Sequence, residues 1–284
     1  MPHVKPIPAL VPHPDTPTHC YRTMDHMGYA DQVRSKIRPV DKVREALPHD
    51  LVTRFEYEDL ERALVARNGN VMEATALLQK YAHVRLDYPQ LYEKMTTASV
   101  DKLLDHVVFA PLSGLKTKKG LVVSYYDVGS WDPAVLSLEE LTAAFMVLAD
   151  LGSILKPETL DPGYVVLLDM HAVTMKQMKA TTPRAYGRAC HCMFESTICH
   201  QKKSYYINYN MVSELAQKAM KPFLPKAQTD NMSHIRKEKL IDLLGEEAVE
   251  QKRYIPTAQD VDKYKQSIRD NLPMIMAKYN KIML

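Results

Sequence analysis

The densest chemistry in this chain lies in Cys190-His191-Cys192 and, shortly after, Cys199-His200. Thiols and imidazoles this close together can bind zinc. If Ala185–Ile198 is helical, however, residues two apart diverge by about 200° on a 3.6-residue turn. Cys190 and Cys192 then cannot share one ion, and they read as buried or pocket-lining thiols. Asp127, Asp132, Asp161 and Asp169 fall in or beside apolar runs, where α/β active sites form. No histidine or nucleophile is spaced to join them. Gly114–Gly120 (GLKTKKG) lacks Walker spacing, and neither G-x-S-x-G nor G-x-G-x-x-G occurs. We therefore expect no catalytic residues, no metal and no cofactor.

The 284 residues are 46% apolar and 25% charged, with a net charge of +3. That balance suits a globular chain large enough for a substantial core and gives no global sign of nucleic-acid binding. Sixteen Met against five Phe suit either a plastic cavity or a Met-padded core. No run of about 18 apolar residues is present to span a membrane. The opening MPHVKPIPAL lacks the apolar stretch of a secretory signal. Cys20, Cys190, Cys192 and Cys199 do not have the spacing of a secreted disulfide framework. A cytoplasmic protein is expected.

The elements that must position any site follow in order. Six of the 18 prolines fall within residues 1–17, which predicts a flexible tail in which His3, His13 and His19 are solvated. Residues 29–95 read as helices, with Asn70 a candidate N-cap for Val71–Val84. Leu121–Val128, Tyr164–Met170 and Ser204–Asn210 read as strands. Helices are predicted from Ser137-Leu-Glu-Glu140 to about Leu155, at Met175–Ile198, at Met211–Leu224, and over residues 236–249 and 257–281. Alternating strands and helices predict a mostly parallel sheet buried on both faces.

Met211–Leu224 is amphipathic, with apolar Met211, Val212, Leu215, Ala216, Ala219 and Met220 beside polar Ser213, Glu214, Gln217 and Lys218. Pro222 must kink or end it. Around it, Lys202, Lys203, Lys218, Lys221, Lys226, Arg236, Lys237 and Lys239 face only Glu214, Asp230 and Glu238. Such a surface can rest on an anionic membrane face, or it can simply be solvated.

VVSYYDVGSWDP (122–133), GYVVLLDM (163–170), YYINYN (205–210) and MKPFLPKA (220–227) resemble the CRAL-TRIO lipid-binding domain. DLERALVARNGNVMEATALLQKYAHVRLDYPQLY (59–92) is similar to the family's helical N-terminal lobe. The resemblance covers roughly residues 30–250, and is greatest to the α-tocopherol transfer and cellular-retinaldehyde-binding branch. It implies an α/β fold: a mostly parallel sheet with covering helices and a gate helix, preceded by a small all-α lobe. The expected divisions are a tail (1–19), the lobe (20–97), the lipid-binding domain (98–250) and a C-terminal helical extension (251–284).

By the same resemblance, Phe145, Ala149, Tyr164, Leu168, Met175, Cys192 and Met193 border a lipophilic ligand, and Leu215, Ala216, Ala219 and Met220 line the gate, Met211 to about Asn231. The family's usual gate aromatics are here Ser213 and Gln217. Phosphoinositide-binding positions carry His200 and Lys202, with Lys221 and Lys226 in a second region whose third lysine is replaced by Ala227. The implied function is non-catalytic transfer of a retinoid, tocopherol or carotenoid-like molecule by a monomer. It would have no nucleic-acid partner and would associate transiently with anionic membranes. Phosphatidylinositol or phosphatidylcholine exchange, or phosphoinositide sensing without transfer, are alternatives on the same fold.

Overall fold

The computed structural model describes residues 38–282 apart from Ser196 and Pro225. The predicted tail, its histidines, Cys20 and the start of the predicted lobe lie outside the described residues. From Pro39 onward the chain forms one compact unit.

Among the described residues six helices come first: α1 (Pro39–Ala46), α2 (His49–Val52), α3 (Tyr57–Ala66), α4 (Val71–Asp87), α5 (Pro89–Tyr92) and α6 (Thr97–His106). Asn70 caps α4 as expected, its side chain accepting from Glu73 N at 3.2 Å. Val43, Leu51 and Leu78 are among the fully buried side chains of this region, and its core reaches Leu160 and Ile198 further along the chain.

The sheet has five strands in sequence order: β1 (Val108–Lys116), β2 (Val122–Asp127), β3 (Tyr164–Asp169), β4 (Gln201–Ile207) and β5 (Met232–His234). β1 pairs antiparallel with β2, and β2 to β5 are parallel. The fold is thus α/β with a mostly parallel sheet. β1 was not expected, because Pro111 and Gly114 make VFAPLSGLK read as a loop. As an edge strand it tolerates both, and its register shifts between Pro111 and Lys116.

β2 and β3 are joined through α7 (Leu138–Leu155), which starts in the predicted capping box. Ser137 Oγ accepts from Glu140 N, and Ser137 N donates to Glu140 Oε2 at 2.9 Å. Lys102 donates to the same carboxylate at 2.8 Å, and holds the Glu140 pKa down to about 2. The helix expected over 175–198 is two: α8 (Met175–Ala180) and α9 (Pro183–Glu195). Pro183 lacks a donor and disfavours helical backbone at Thr182, so the break falls there. After β4 come α10 (Met211–Met220) and, past a short 3-10 turn, α11 (Lys226–Asp230). Beyond β5 lie α12 (Lys237–Leu244), α13 (Glu246–Glu250) and α14 (Ala258–Ile282).

The alternation of β3 divides the molecule. Val165 and Leu167 point to the face covered by Leu240 and Leu244 of α12 and Ala248 and Val249 of α13. Tyr164, Val166 and Leu168 point to the other, behind α7 and α9. α14 returns across the sheet edge, and Ile268, Leu272 and Ile275 join the core shared with α6, α7 and β1.

One buried ion pair ties α4 to α7. Arg85 Nη2 lies 2.6 Å from Asp150 Oδ2, which also accepts from Tyr81 OH at 2.8 Å. The guanidinium stacks on the Tyr81 ring, 3.3 Å from its centroid. Removing one partner strands a buried charge, so Asp150→Ala should lower unfolding stability by about 3–5 kcal/mol. Urea unfolding followed by circular dichroism checks this. The double variant Arg85→Met/Asp150→Leu should recover most of the loss.

Candidate functional site

On the Tyr164 side of the sheet lies a cavity of about 340 Å³ with a predominantly apolar lining. Cross-strand rungs form its floor. Ser124, Val166 and Ser204 pair across β2, β3 and β4, and Tyr126, Leu168 and Tyr206 form the next rung in the same direction. The serines matter because a small rung in mid-sheet leaves space that larger side chains would fill. One wall is α7, through Leu141, Phe145, Leu148 and Ala149. A second is α9, through Tyr186, Ala189, Cys190 and Met193 at helical spacing. The roof is α10, through Ser213, Ala216, Gln217 and Met220.

Of the residues the sequence placed against a ligand, Phe145, Ala149, Tyr164, Leu168, Met193, Ala216 and Met220 line this space. Four do not. Cys192 is fully buried in the core beside α7, because it sits about 200° round α9 from Cys190, which takes the cavity position. Met175 opens α8 with 47% of its surface exposed; Gln177 and Met178 face inward instead. Gln177 is held there by donating to Trp131 O at 2.9 Å. Leu215 is 57% exposed and Ala219 is also exposed. The apolar arc of α10 is wider than one contact face, and the helix is turned by one residue, roughly 100°, from the expected orientation.

Helix α10 is anchored at its start. Asn210 caps α10 by accepting from Ser213 N at 2.9 Å. Its amide nitrogen donates to Met170 O, His171 O and Val173 O at 3.2, 3.1 and 2.9 Å, respectively. At the other end the backbone turns at Pro222. There Phe223 O comes within 3.1 Å of where a Cβ on Gly187 would stand, a tight approach that a larger residue would push back by a few tenths of an ångström. Outside, Met211 is 85%, Leu215 57% and Phe223 58% exposed.

Polar groups in the cavity are few and mostly paired. Tyr186 OH and Tyr206 OH are 3.1 Å apart. Tyr164 OH donates to Gln201 Oε1 at 3.1 Å, and Gln201 Nε2 donates to Ser204 Oγ at 2.8 Å. Tyr209 OH is buried with no hydrogen-bond partner among the described residues. Burial pushes Cys190 and Cys199 up to about 12 and Cys192 to about 11. Thiols so protonated are poor nucleophiles. Cys199 instead donates to Ala149 O at 3.0 Å. Among the described residues no three His, Cys, Asp or Glu side chains converge as metal ligands.

The basic positions fall into two places. His200 and Lys202, at the start of β4, stand beside Gly163. At φ +97° its Cβ would collide with His200 O, 2.5 Å away. Arg67, at the end of α3, joins them, a residue the sequence reading did not single out. Desolvation, then repulsion from Lys202 and Arg67, lowers the His200 pKa to about 4. The opposing charge there is Asp161. Lys221 and Lys226 are exposed where the chain leaves α10.

A family model described as the CRAL/TRIO domain matches residues 108–253, just over half of the chain and every strand of the sheet. The solved structure titled "Crystal structure of Sfh5" is similar at a TM-score of 0.47 and 11% identity, covering 83% of this chain and 96% of that one. The cavity's small-residue floor and helical roof thus sit inside the matched segment, Tyr264 of its lining lies beyond it, and the chain belongs to the CRAL/TRIO family, whose members bind lipids.

Proposed function

We propose that this protein is a non-catalytic carrier of one small lipophilic molecule, retinoid-, tocopherol- or carotenoid-like, which it holds in the gated cavity and moves between membranes. This is the activity of the α-tocopherol transfer and retinaldehyde-binding branch. The carrier works as a cytoplasmic monomer that visits anionic, phosphoinositide-bearing membranes.

The observation that carries this reading is the two-sided gate. Ala216 and Met220 cover the cavity, while Met211, Leu215 and Phe223 stand in solvent on the outer side, with Lys218 and Lys221 among them. Apolar side chains beside lysines suit the boundary between headgroups and acyl chains. A volume of about 340 Å³ is near the lower end for small-molecule pockets. It supports a single-chain guest over a two-chain phospholipid.

A guest with about 20 buried methylenes gains on the order of 16 kcal/mol on leaving water. Bilayer and cavity are both apolar, so that term nearly cancels between them. The aqueous crossing is the barrier, and a closed cavity removes it. Release then requires a gate that opens preferentially at a membrane. Each lysine near an anionic leaflet contributes about 1 kcal/mol to that preference.

Three outcomes test the reading. Lys202→Glu/Lys221→Glu/Lys226→Glu should slow transfer to anionic vesicles tenfold or more, on the order expected for three lost charges, with equilibrium ligand binding intact. Fluorescence transfer kinetics measure this, and an unchanged rate rejects the membrane trigger. Ser124→Phe should fill the floor, abolishing ligand binding while leaving the melting temperature equal or higher, as cavity-filling substitutions do. Mass spectrometry of whatever copurifies decides the cargo. A recovered phosphatidylinositol or phosphatidylcholine would replace the single-chain reading, and vesicle binding without cargo movement would leave a sensing module.

A further inference from the structure

Lys156 lines the cavity without an obvious reason to be there. It is the residue at which α7 ends, its backbone N–H donating to Gly152 O at 2.9 Å. Its side chain is largely withdrawn from water, and desolvation lowers its pKa. Among the described residues no carboxylate lies within ion-pair distance of it; Glu158 acts only through space. The nearest described ring is Tyr264 of α14, whose centroid is 5.7 Å from Lys156 Nζ.

The surroundings are those of a polar end to an apolar hollow. Thr159, Tyr164, Gln201 and Tyr264 contribute oxygen-bearing side chains to the same lining. Tyr264 is fixed by an edge-to-face contact with Phe109, centroids 5.7 Å apart. It also comes from outside residues 108–253, the segment matched by the family model. The carbonyl end of α7 favours a cation at this point. Among the described residues no carboxylate touches the ammonium, Glu158 acting only from a distance, and a partly buried cation without a contacting anion is costly.

We infer that Lys156, backed by Tyr264, is a subsite for a carboxylate, so that the guest is a single-chain amphiphile ending in an acid group. The inference rests on the carrier reading and narrows its cargo. One lysine balances one charge, which fits a carboxylate better than a phosphate dianion. The chain of such a guest would run from Lys156 across the Ser124–Val166–Ser204 rung toward the gate. An alcohol or ester of the same length would fill the hollow and leave the ammonium unpaired.

The test uses the full chain and two probes of one skeleton, cis-parinaric acid and its methyl ester, at neutral pH. Trp131 lines the cavity and is the sole tryptophan, so energy transfer from it reports binding directly. The acid should bind roughly tenfold or more tightly than the ester, as expected for a charge-assisted hydrogen bond. Lys156→Met should erase that preference by weakening the acid alone, and Lys156→Arg should retain it. Equal binding of both probes by the unaltered protein, or a preference that survives in Lys156→Met, overturns the subsite while the carrier reading stands. Failure of both probes to bind overturns the subsite and the hollow together.

Discussion

A void inside a protein forfeits the contacts its lining would otherwise make. The lining of this cavity of about 340 Å³ gives up such contacts, so the surrounding framework must keep it from closing. The remaining structure is fitted to this constraint. The floor cannot be allowed to collapse, so it is a sheet whose opposite face is packed by α12 and α13. The walls cannot slide, so α7 is capped at its start and clamped at its middle.

Arg85 and Asp150 are both nearly inaccessible, and a buried pair of this kind adds little over apolar packing of the same volume. Its value lies in direction. The pair, the Tyr81 hydroxyl and the stacked guanidinium allow one relative placement of α4 and α7, where leucine packing would allow several. A second polar node does the same at the sheet's end. Asp169, 2% exposed, accepts from Tyr125 OH at 2.8 Å and Asn208 Nδ2 at 2.9 Å. It holds the turn that leads to Asn210 and the start of α10.

What could be read from the sequence followed period and punctuation. Strand geometry puts Tyr164, Val166 and Leu168 on one face of β3, but in a run as evenly apolar as YVVLLD only the family resemblance assigned Tyr164 and Leu168 to the ligand. The caps at Asn70 and Ser137 were legible because each has its own local signature. The rotation of α10 was not. Its apolar residues cover about half the helix circumference, and no one-dimensional pattern says which half faces a hollow and which faces outward. Cys192 was misplaced although the 200° rule that separates it from Cys190 was in hand, since the rule says they diverge but not which one points inward. β1 was hidden by Pro111 and Gly114, whose tolerance depends on its being an edge strand. Arg67 and Lys156 were missed for one reason: each gains its meaning from residues far away in sequence, His200 and Lys202 for the first, Tyr264 for the second.

The gate's unexpected rotation changes how opening is to be understood. Had Leu215 and Ala219 faced inward with the other apolar positions, the closed state would be the oilier contact and water would hold it shut. Instead the inner face mixes Ala216 and Met220 with Ser213 and Gln217, and the outer face keeps Met211 and Leu215 in solvent. The closed gate therefore leaves apolar area unsatisfied on its outer side. A bilayer can take up that area; water cannot. A surface shifts a two-state element only by its differential affinity for the two states. Helix α10 can provide that difference if lifting it presents more of its apolar arc to the bilayer, with Ala216 and Met220 joining Met211 and Leu215. On the carrier proposal, the width of the arc, which made the helix ambiguous in sequence, is what would let one segment seal a cavity in water and open at a membrane.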